Sequence, residues 1–324
     1  MLGNEFQFDS RDCPYCGSKS RTALLDMTGA QILSGNWSYC EESAKTLGSN
    51  LTRSFSIAQC DDCQFIFSVR LPDAAFLELL YDRVIDGQLA RQHNLSLNGV
   101  VSKMETLATL LTLANQKGRP CRVLDFGCGF GPTLQLLCAI PDVQALGFET
   151  SLGRAMDLRG RGLPVTQSID EVQRQGPFDA LILDNVLEHV PTPRDLVVNL
   201  RGLLNAGGFV YVSVPAASAD DFRAHRKAAE SGQPLPMDIN PWEHLNYFDL
   251  THLDGLMNGA NLTPLKASEL PRPVNVGLRA SHQFFERAKN AIASSFRMMG
   301  YVANADAMAN VTARFYKCGP STGT

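Results

Sequence analysis

The sequence predicts an α/β fold with a doubly wound, mostly parallel sheet of seven strands, Rossmann-like in its winding, and a small N-terminal cysteine module. Three observations support this prediction. Short apolar runs alternate with helical segments from residue 121 onward, a glycine-rich turn follows the first of these runs, and two C-x-x-C pairs lie in the first 72 residues. Strand–helix alternation is typical of a parallel sheet with helices on both faces.

The strands are predicted from short apolar runs bounded by turn-forming residues. They are CRVLDF from 121, VQALGFE from 143, LPVTQS from 163, FDALILDN from 178, GGFVYVSVP from 207, LTPLKASEL from 262 and NVTARFYKC from 310. Helical periodicity predicts the connections PTLQLLCAI from 132, SLGRAMDLRGR from 151, DLVVNLRGLL from 195 and DLTHLDGLMNGAN from 249.

The domain boundaries follow from shifts in composition and periodicity. Residues 1–72 form the cysteine module, 73–120 a helical linker or cap, and 121–318 the main α/β domain. Within that domain, 216–248 contains several prolines and a charged middle, which predicts an irregular lid or substrate loop. A helical insertion at 280–302 presents an apolar face, which favours a core helix, a homodimer contact or a cover for the acceptor pocket.

The bulk composition excludes several classes of partner. The net charge is −4 and 44% of the residues are hydrophobic, which is ordinary for a globular protein and argues against a nucleic-acid partner. The sequence shows no secretory signal and no apolar run long enough to span a membrane. A cytoplasmic location is therefore expected, where cysteines are metal ligands or core residues before they are disulfides.

The glycine turn Gly127-Cys128-Gly129 joins the first strand to the next helix, where backbone can closely approach a ligand. Asp125 precedes the turn at the end of its strand. Glu149 ends the following strand, at the separation where an acid can bind both hydroxyls of a ribose. The turn lacks the third glycine of the dinucleotide fingerprint and has no basic residue. The alternatives are an NAD-binding domain, or acids that only cap turns.

The two C-x-x-C pairs predict a structural zinc site, because two thiolates from each tight turn can complete a tetrahedron. The pairs are separated by more residues than is usual, so the intervening segment is expected to form a β-rich insert. A redox pair is the alternative, but neither pair lies in a strand–helix context. The predicted ligands are Cys13, Cys16, Cys60 and Cys63.

Two Glu-His dipeptides are candidates for proton transfer, since the ordinary pKa of histidine suits a general base near neutral pH. Glu188-His189 follows the strand that begins at Phe178, at the sheet edge where ligands bind in doubly wound folds. Glu243-His244 lies among aromatic residues on the loop before the next helix. The alternative for His189 is a structural residue that packs beneath the cofactor.

The segments VLDFGCGFG, GFE and FDALILDNVLEHV through GGFVYVSVP resemble the class I S-adenosylmethionine-dependent methyltransferases, over roughly residues 100–270. The resemblance implies that Asp125 and the glycine turn hold the methionine part of the cofactor and that Glu149, with Thr150 beside it, holds the ribose. It further implies that the adenine is flanked by Ser168 and Ile169, and that the sulfonium is faced by Asp184 and Asn185.

A similar N-terminal cysteine module precedes the methyltransferase domain in enzymes that act on nucleotide-linked deoxysugars. There the zinc is structural, and the Glu-His of the later loop lies beside the substrate. Those enzymes have a further C-terminal domain, and a counterpart of that domain is not expected here, because this sequence ends near where it would begin. The expected function is methyl transfer to a small-molecule acceptor, a nucleotide sugar or natural-product intermediate, with His244, His189 or Glu243 as the base. The alternatives are a macromolecule methyltransferase that recognises protein or RNA through the cysteine module, and an enzyme that binds the cofactor without transferring methyl.

Overall fold

The computed structural model describes residues 6–36, 39, 42–94, 97–115, 118–271 and 311–319. The predicted helical insertion at 280–302 lies outside this part of the chain. The strands are β1 Phe8–Ser10, β2 Arg21–Thr28, β3 Ser54–Cys60, β4 Ile66–Ser68, β5 Arg70–Pro72, β6 Cys121–Phe126, β7 Val143–Phe148, β8 Val165–Thr166, β9 Phe178–Asp184, β10 Leu204–Pro215, β11 Asn246–Tyr247, β12 Leu262–Pro264 and β13 Val311–Cys318.

The helices are α1 Gly29–Gly35, α2 Ser43–Leu47, α3 Ala74–Leu79, α4 Gly87–Asn94, α5 Leu97–Ala114, α6 Pro132–Cys138, α7 Leu152–Gly160, α8 Ile169–Gln175, α9 Pro193–Arg201, α10 Ala219–Glu230 and α11 Leu250–Gly259. A π-helical turn, Leu80–Val84, extends α3. Three short 3-10 helices complete the set, namely Gly48–Thr52, Leu187–His189 and Ala267–Glu269. None of the helices within the described ranges is long and apolar enough to cross a membrane.

The central sheet has seven strands in the order β12-β13-β10-β9-β6-β7-β8, which confirms the predicted seven-stranded sheet. The pairs β10-β9, β9-β6, β6-β7 and β7-β8 are parallel, and β13 alone runs against its neighbours. The order of strands reverses at β6, whose two neighbours are β7 and β9. Ligands bind at such a switch point, beyond the carboxyl ends of the strands.

The central strands are short and apolar because helices cover both of their faces. In β9 every residue before Asp184 is buried. One face packs against α5 and α6 through Leu107, Leu110 and Leu137, and the opposite face packs against helices that include α9 and α11. The run LTPLKASEL is extended only over β12, because Ala267–Glu269 form a 3-10 turn.

The N-terminal module forms a four-stranded antiparallel sheet in the order β11-β4-β3-β2. The strands β2 and β3 lie between the cysteine pairs, so this insert contains β structure, accompanied by α1 and α2. The edge strand β11 comes from the far end of the predicted loop 216–248 and pairs with β4. The module and this segment therefore share one sheet and one core, in which Trp242 contacts Phe55 and Phe76.

The prediction of an irregular segment at 216–248 was wrong for its charged middle, which forms the helix α10. Ser218 and Asp221 form a capping box at its start, with each side chain bonded to the backbone amide of the other. Phe222 is buried, and Arg226 donates hydrogen bonds to the carbonyls of Ala23 and Leu24 at 3.0 and 2.7 Å. The many charges are the solvated face of an amphipathic helix.

Candidate active site and cysteine cluster

The glycine turn after β6 has the backbone geometry that a close-fitting ligand site requires. Gly127 and Gly129 have positive φ of 74° and 55°. A Cβ on Gly127 would lie 2.9 Å from the side chain of Val186, so any other residue there would be both strained and crowded. Around Gly129 a Cβ would meet no heavy atom within 4 Å, so there is open space beside this glycine. Cys128 between them is buried.

Glu149 connects this turn to the start of α7. Its two carboxylate oxygens accept hydrogen bonds from the amides of Gly129 and Ser151, at 2.9 and 2.8 Å. The side chain is buried at the end of β7, where the sequence placed it, and Thr150 beside it is exposed. The carboxylate thus holds the turn in shape, and its predicted contact with a ribose stays a prediction.

Asp125 is a buried carboxylate with an unsatisfied oxygen. The residue is 3% exposed, and no donor among the described residues lies within hydrogen-bond distance of Oδ2. Burial, followed by the nearby charge of Asp184, raises the pKa of Asp125 to about 7. An unpaired buried carboxylate is costly unless a cation or a hydrogen-bond donor meets it. The site therefore favours a ligand with a positive or donor group at this point.

Asp184 and Asn185 lie at the carboxyl end of β9, as predicted, but Asp184 already has partners. It accepts hydrogen bonds from Lys103 of α5 and from Ser213 of β10. Asn185 is exposed and has a positive φ of 55°, which turns the chain sharply after the strand. No sequence motif marked Lys103, because its partner is 81 residues away in the chain.

Ser168 and Ile169 lie at the start of α8, beyond β8. The hydroxyl of Ser168 caps the helix by accepting a hydrogen bond from the amide of Glu171 at 3.3 Å. The side chain of Ile169 is 43% exposed, which leaves an apolar surface open to a flat ring. Their predicted position beside an adenine stays a prediction.

A cavity of about 560 Å³ opens beside the glycine turn and the start of α7. Its lining includes Tyr81, Phe130, Ser151 and Arg154. The guanidinium of Arg154 lies 4.7 Å from the ring centre of Phe130 and 5.2 Å from that of Tyr81. These cation–π contacts hold Arg154, Phe130 and Tyr81 together as one wall of the cavity.

The two predicted histidines meet in space. The ring centres of His189 and His244 are 5.1 Å apart. The Nδ1 atom of His189 bonds the carbonyl of Glu243 at 2.8 Å, and that of His244 bonds the carbonyl of Asp238 at 3.0 Å. A carbonyl can only accept, so each Nδ1 donates, and the neutral tautomer that fits each of these bonds has its lone pair on Nε2. The two Glu-His dipeptides thus form a single cluster, which the sequence did not reveal.

Glu243 is oriented by a contact with the N-terminal module. Its Oε1 accepts hydrogen bonds from the hydroxyl of Tyr39 at 2.7 Å and from Nδ2 of Asn240 at 2.8 Å. Burial, followed by the charge of Glu243, raises the pKa of Tyr39 well above its usual range, so the phenol stays protonated and donates. Tyr39 was not predicted as a site residue, and its separation of 204 positions from Glu243 explains why.

Glu188 is buried beneath the histidines at 1% exposure, and neither of its carboxylate oxygens has a partner among the described residues. Its Oε1 lies 3.9 Å from Nε2 of His189. Burial raises the pKa of Glu188 well above its usual range, and burial together with the neighbouring His244 lowers the pKa of His189 to about 3. At neutral pH His189 is therefore uncharged.

The four predicted metal ligands converge in the N-terminal module. The Sγ atoms of Cys13 and Cys63 are 3.6 Å apart, as are those of Cys16 and Cys60, and all four lie within 4.8 Å of one another. The two turns repeat each other: Gly17 and Gln64, each just after a pair, have positive φ and donate their amides to the carbonyls of Cys13 and Cys60. Four sulfurs with this spacing fit a tetrahedral zinc ion with Zn–S distances of about 2.3 Å.

A family model described as a methyltransferase domain matches residues 101–267, just over half of the chain. The chain belongs to this family. Its matched region contains the glycine turn, Asp125, Glu149 and the histidine cluster. The fold is accordingly the mixed α/β, Rossmann-like fold of methyltransferases.

Among curated proteins, the trans-aconitate 2-methyltransferase of Methylobacterium nodulans is 34% identical over 100 residues, which cover 30% of this chain and 39% of that protein. The ubiquinone biosynthesis O-methyltransferase of Xanthomonas oryzae is 32% identical over 110 residues, or 30% and 46% of the two chains. The chain thus spans less than half the length of these two relatives. A solved structure of the Burkholderia thailandensis 1,6-didemethyltoxoflavin-N1-methyltransferase with bound S-adenosylhomocysteine is 15% identical, with a TM-score of 0.42, and covers 80% of this chain and 97% of that one.

Proposed function

We propose that the chain transfers a methyl group from S-adenosylmethionine to a small-molecule acceptor, with His244 as the residue that accepts a proton. The observation that carries this proposal is the unpaired, buried Oδ2 of Asp125 beside a glycine turn without basic residues. A phosphate ligand would be repelled there, whereas an ammonium or sulfonium group would be attracted.

Each part of the cofactor is proposed to be bound by a different set of residues at this end of the sheet. Asp125 and the backbone of Gly127–Gly129 are proposed to bind the methionine moiety, Glu149 and Thr150 the ribose, and Ser168 with Ile169 the adenine. When bound, the cofactor supplies an electrophilic methyl group on a sulfonium. Because Asp184 is already paired with Lys103, it and Asn185 are proposed to shape the edge of the sulfonium site.

Proton removal is proposed to depend on the hydrogen bonds of the histidine cluster. The Nδ1–H of His244 is held by a carbonyl, which leaves the Nε2 lone pair to accept a proton from the acceptor. His189 lies against the ring of His244 and is uncharged, so it does not repel the imidazolium that forms. Glu243, fixed by Tyr39 and Asn240, offers its second carboxylate oxygen to orient the acceptor or stabilise positive charge.

The cysteine cluster is proposed to bind one structural zinc ion. Four cysteines fill a tetrahedral shell, so no position is left for a substrate. Cys13 and Cys60 are buried and pack in the same core as Phe248, which joins the module to the methyltransferase domain. This packing favours a role in stability over recognition of protein or RNA.

A small-molecule acceptor is supported by the names of the curated relatives, which specify trans-aconitate and ubiquinone biosynthesis. A nucleotide sugar or natural-product intermediate is the class that the sequence resemblance implies, and the cavity lined by Tyr81 and Arg154 is the proposed acceptor side of the site. A cytoplasmic location and homodimer formation remain predictions.

The proposal is tested with methyl-labelled S-adenosylmethionine and a cell extract divided into dialysable and macromolecular fractions. Label is expected in a dialysable product, detected by its mass. His244→Gln should lower the rate of labelling at least ~100-fold, since general bases contribute that much, with cofactor affinity unchanged. His225→Gln on α10 is the matched control. Label only in macromolecules would contradict the proposed acceptor class, and substrate conversion without loss of the methyl group would contradict methyl transfer.

A further inference from the structure

We propose that Glu188, His189 and His244 form a second metal site, which binds a divalent transition-metal ion and is distinct from the cysteine cluster. The three side chains offer one carboxylate oxygen and two imidazole nitrogens, all within 4.8 Å of one another. Two histidines and one carboxylate are a ligand set used for zinc and for iron(II), with further coordination positions left open.

The orientation of the two imidazoles supports this site. Each Nδ1–H is bonded to a backbone carbonyl, that of Glu243 for His189 and that of Asp238 for His244. Metal-binding histidines commonly donate their second ring N–H in this way, because the bond fixes the tautomer and strengthens the other nitrogen as a ligand. Both Nε2 atoms are therefore prepared to bind an ion before it arrives.

The unpaired carboxylate of Glu188 also supports this metal site. Glu188 is 1% exposed, and both its oxygens lack a partner within the described part of the chain. Of the nearby groups, Nε2 of His189 is 3.9 Å from Oε1, which is too far for a hydrogen bond. A metal ion between them would satisfy the carboxylate, and ligand distances of about 2 Å need only a small inward movement of these side chains.

The two histidines are half-buried, whereas Glu188 is fully buried. The open coordination positions of such an ion therefore lie on the side of the histidines. An ion held by His244 Nε2 also occupies the lone pair that accepts a proton in the proposed reaction. Metal binding and proton acceptance at this atom therefore exclude each other. This metal site is separate from the proposed methyl transfer. Metal binding to it can be measured without a methyl acceptor.

The experiment begins with the full chain carrying one equivalent of zinc, which fills the cysteine cluster. Cobalt(II) is then titrated by calorimetry and visible absorption. One further equivalent is expected, with d–d absorption typical of nitrogen and oxygen ligands and without the charge-transfer band of a cobalt thiolate. Glu188→Gln, His189→Gln and His244→Gln should each weaken cobalt binding at least ~10-fold, since losing even an outer-shell partner of a metal ligand costs that much.

His225→Gln is the control for loss of a histidine elsewhere, and zinc content and circular dichroism verify that each variant is folded. If Glu188→Gln does not fold, His244→Gln on the more accessible side carries the test. No cobalt beyond the zinc equivalent, or binding unchanged in the folded histidine variants, would overturn the proposal. A chain that binds cobalt but transfers no methyl would leave the metal site standing and refute the proposed function alone.

Discussion

Asp125→Asn is expected to stabilise the cofactor-free chain while weakening its binding of S-adenosylmethionine. Burial, with a smaller effect of Asp184, raises the pKa of Asp125 from 3.8 to about 7. Each pKa unit between these two values corresponds to about 1.36 kcal/mol. Above pH 7 the charged carboxylate therefore lowers the free energy of unfolding by about 4 kcal/mol. Asparagine has nearly the same shape and no charge, so it removes that cost and adds about 1–3 kcal/mol for burying an amide.

The pH dependence follows from the same two pKa values. Between pH 3.8 and pH 7 the folded chain holds a proton at Asp125 that the unfolded chain releases, so the wild-type chain loses stability as the pH rises through this range. The advantage of the asparagine variant should therefore be greatest above pH 7 and shrink by about 2 kcal/mol between pH 8 and pH 5.5. The cost of the buried amide cancels from this difference, because it is the same at both pH values.

The assay is urea denaturation of the cofactor-free protein at the two pH values, with Asp179→Asn as the matched control. Asp179 is equally buried but accepts hydrogen bonds from Arg119 and Asn205 at 2.6–2.7 Å. Burial raises the pKa of Asp179, but the hydrogen bonds from these donors outweigh burial, and the net effect is a lowered pKa. The charged carboxylate of Asp179 therefore stabilises the fold above pH 3.8, and this stabilisation is lost as the pH falls. Asp179→Asn should cost about 2 kcal/mol at pH 8, since Arg119 is partly screened by solvent.

The two substitutions thus have opposite effects on stability at pH 8. Only Asp125→Asn should weaken cofactor binding, by at least ~10-fold for a lost charge-assisted contact. If the stability of Asp125→Asn relative to the wild-type chain is the same at pH 8 and pH 5.5, Asp125 does not carry a buried unpaired charge.

Three further predictions concern the contacts that join the segments. Arg226→Ala should lower the free energy of unfolding by about 1–3 kcal/mol in urea denaturation, because the carbonyls of Leu24 and Ala23 lose their donor; an unchanged midpoint would show that α10 does not depend on these bonds. Tyr39→Phe should reduce turnover about 10-fold through loss of its bond to Glu243, and unchanged kinetics with any active acceptor would remove Tyr39 from the positioning residues. Chelation of zinc should lower the melting temperature, with recovery on adding zinc but not magnesium; a melting temperature insensitive to chelation would argue against a structural role for the cysteine cluster.

The sequence predicted best where one local pattern determines the structure. The strands β6, β7 and β9 are apolar runs because both of their faces are buried, and they were located within a residue or two. The glycine turn and the cysteine pairs could be identified because positive φ and thiolate spacing are properties of a few adjacent residues.

The rest depends on contacts between distant segments. The two-residue strand β11 exists only because β4 pairs with it, and the charges of α10 obscured a helix whose buried face meets β2. Tyr39 and Lys103 reach the site from other parts of the chain without a motif. The meeting of the two Glu-His dipeptides likewise depends on the fold, because only Glu188-His189 was predicted at the edge of the sheet, whereas Glu243-His244 was predicted on a separate loop.

Calorimetric titration of the full chain at pH 8 decides whether this edge of the sheet binds S-adenosylmethionine. We expect one equivalent of S-adenosylmethionine bound, no measurable binding of NAD, and an affinity that falls as the pH drops below about 7 because Asp125 becomes protonated. Binding of NAD without binding of S-adenosylmethionine would refute this cofactor site.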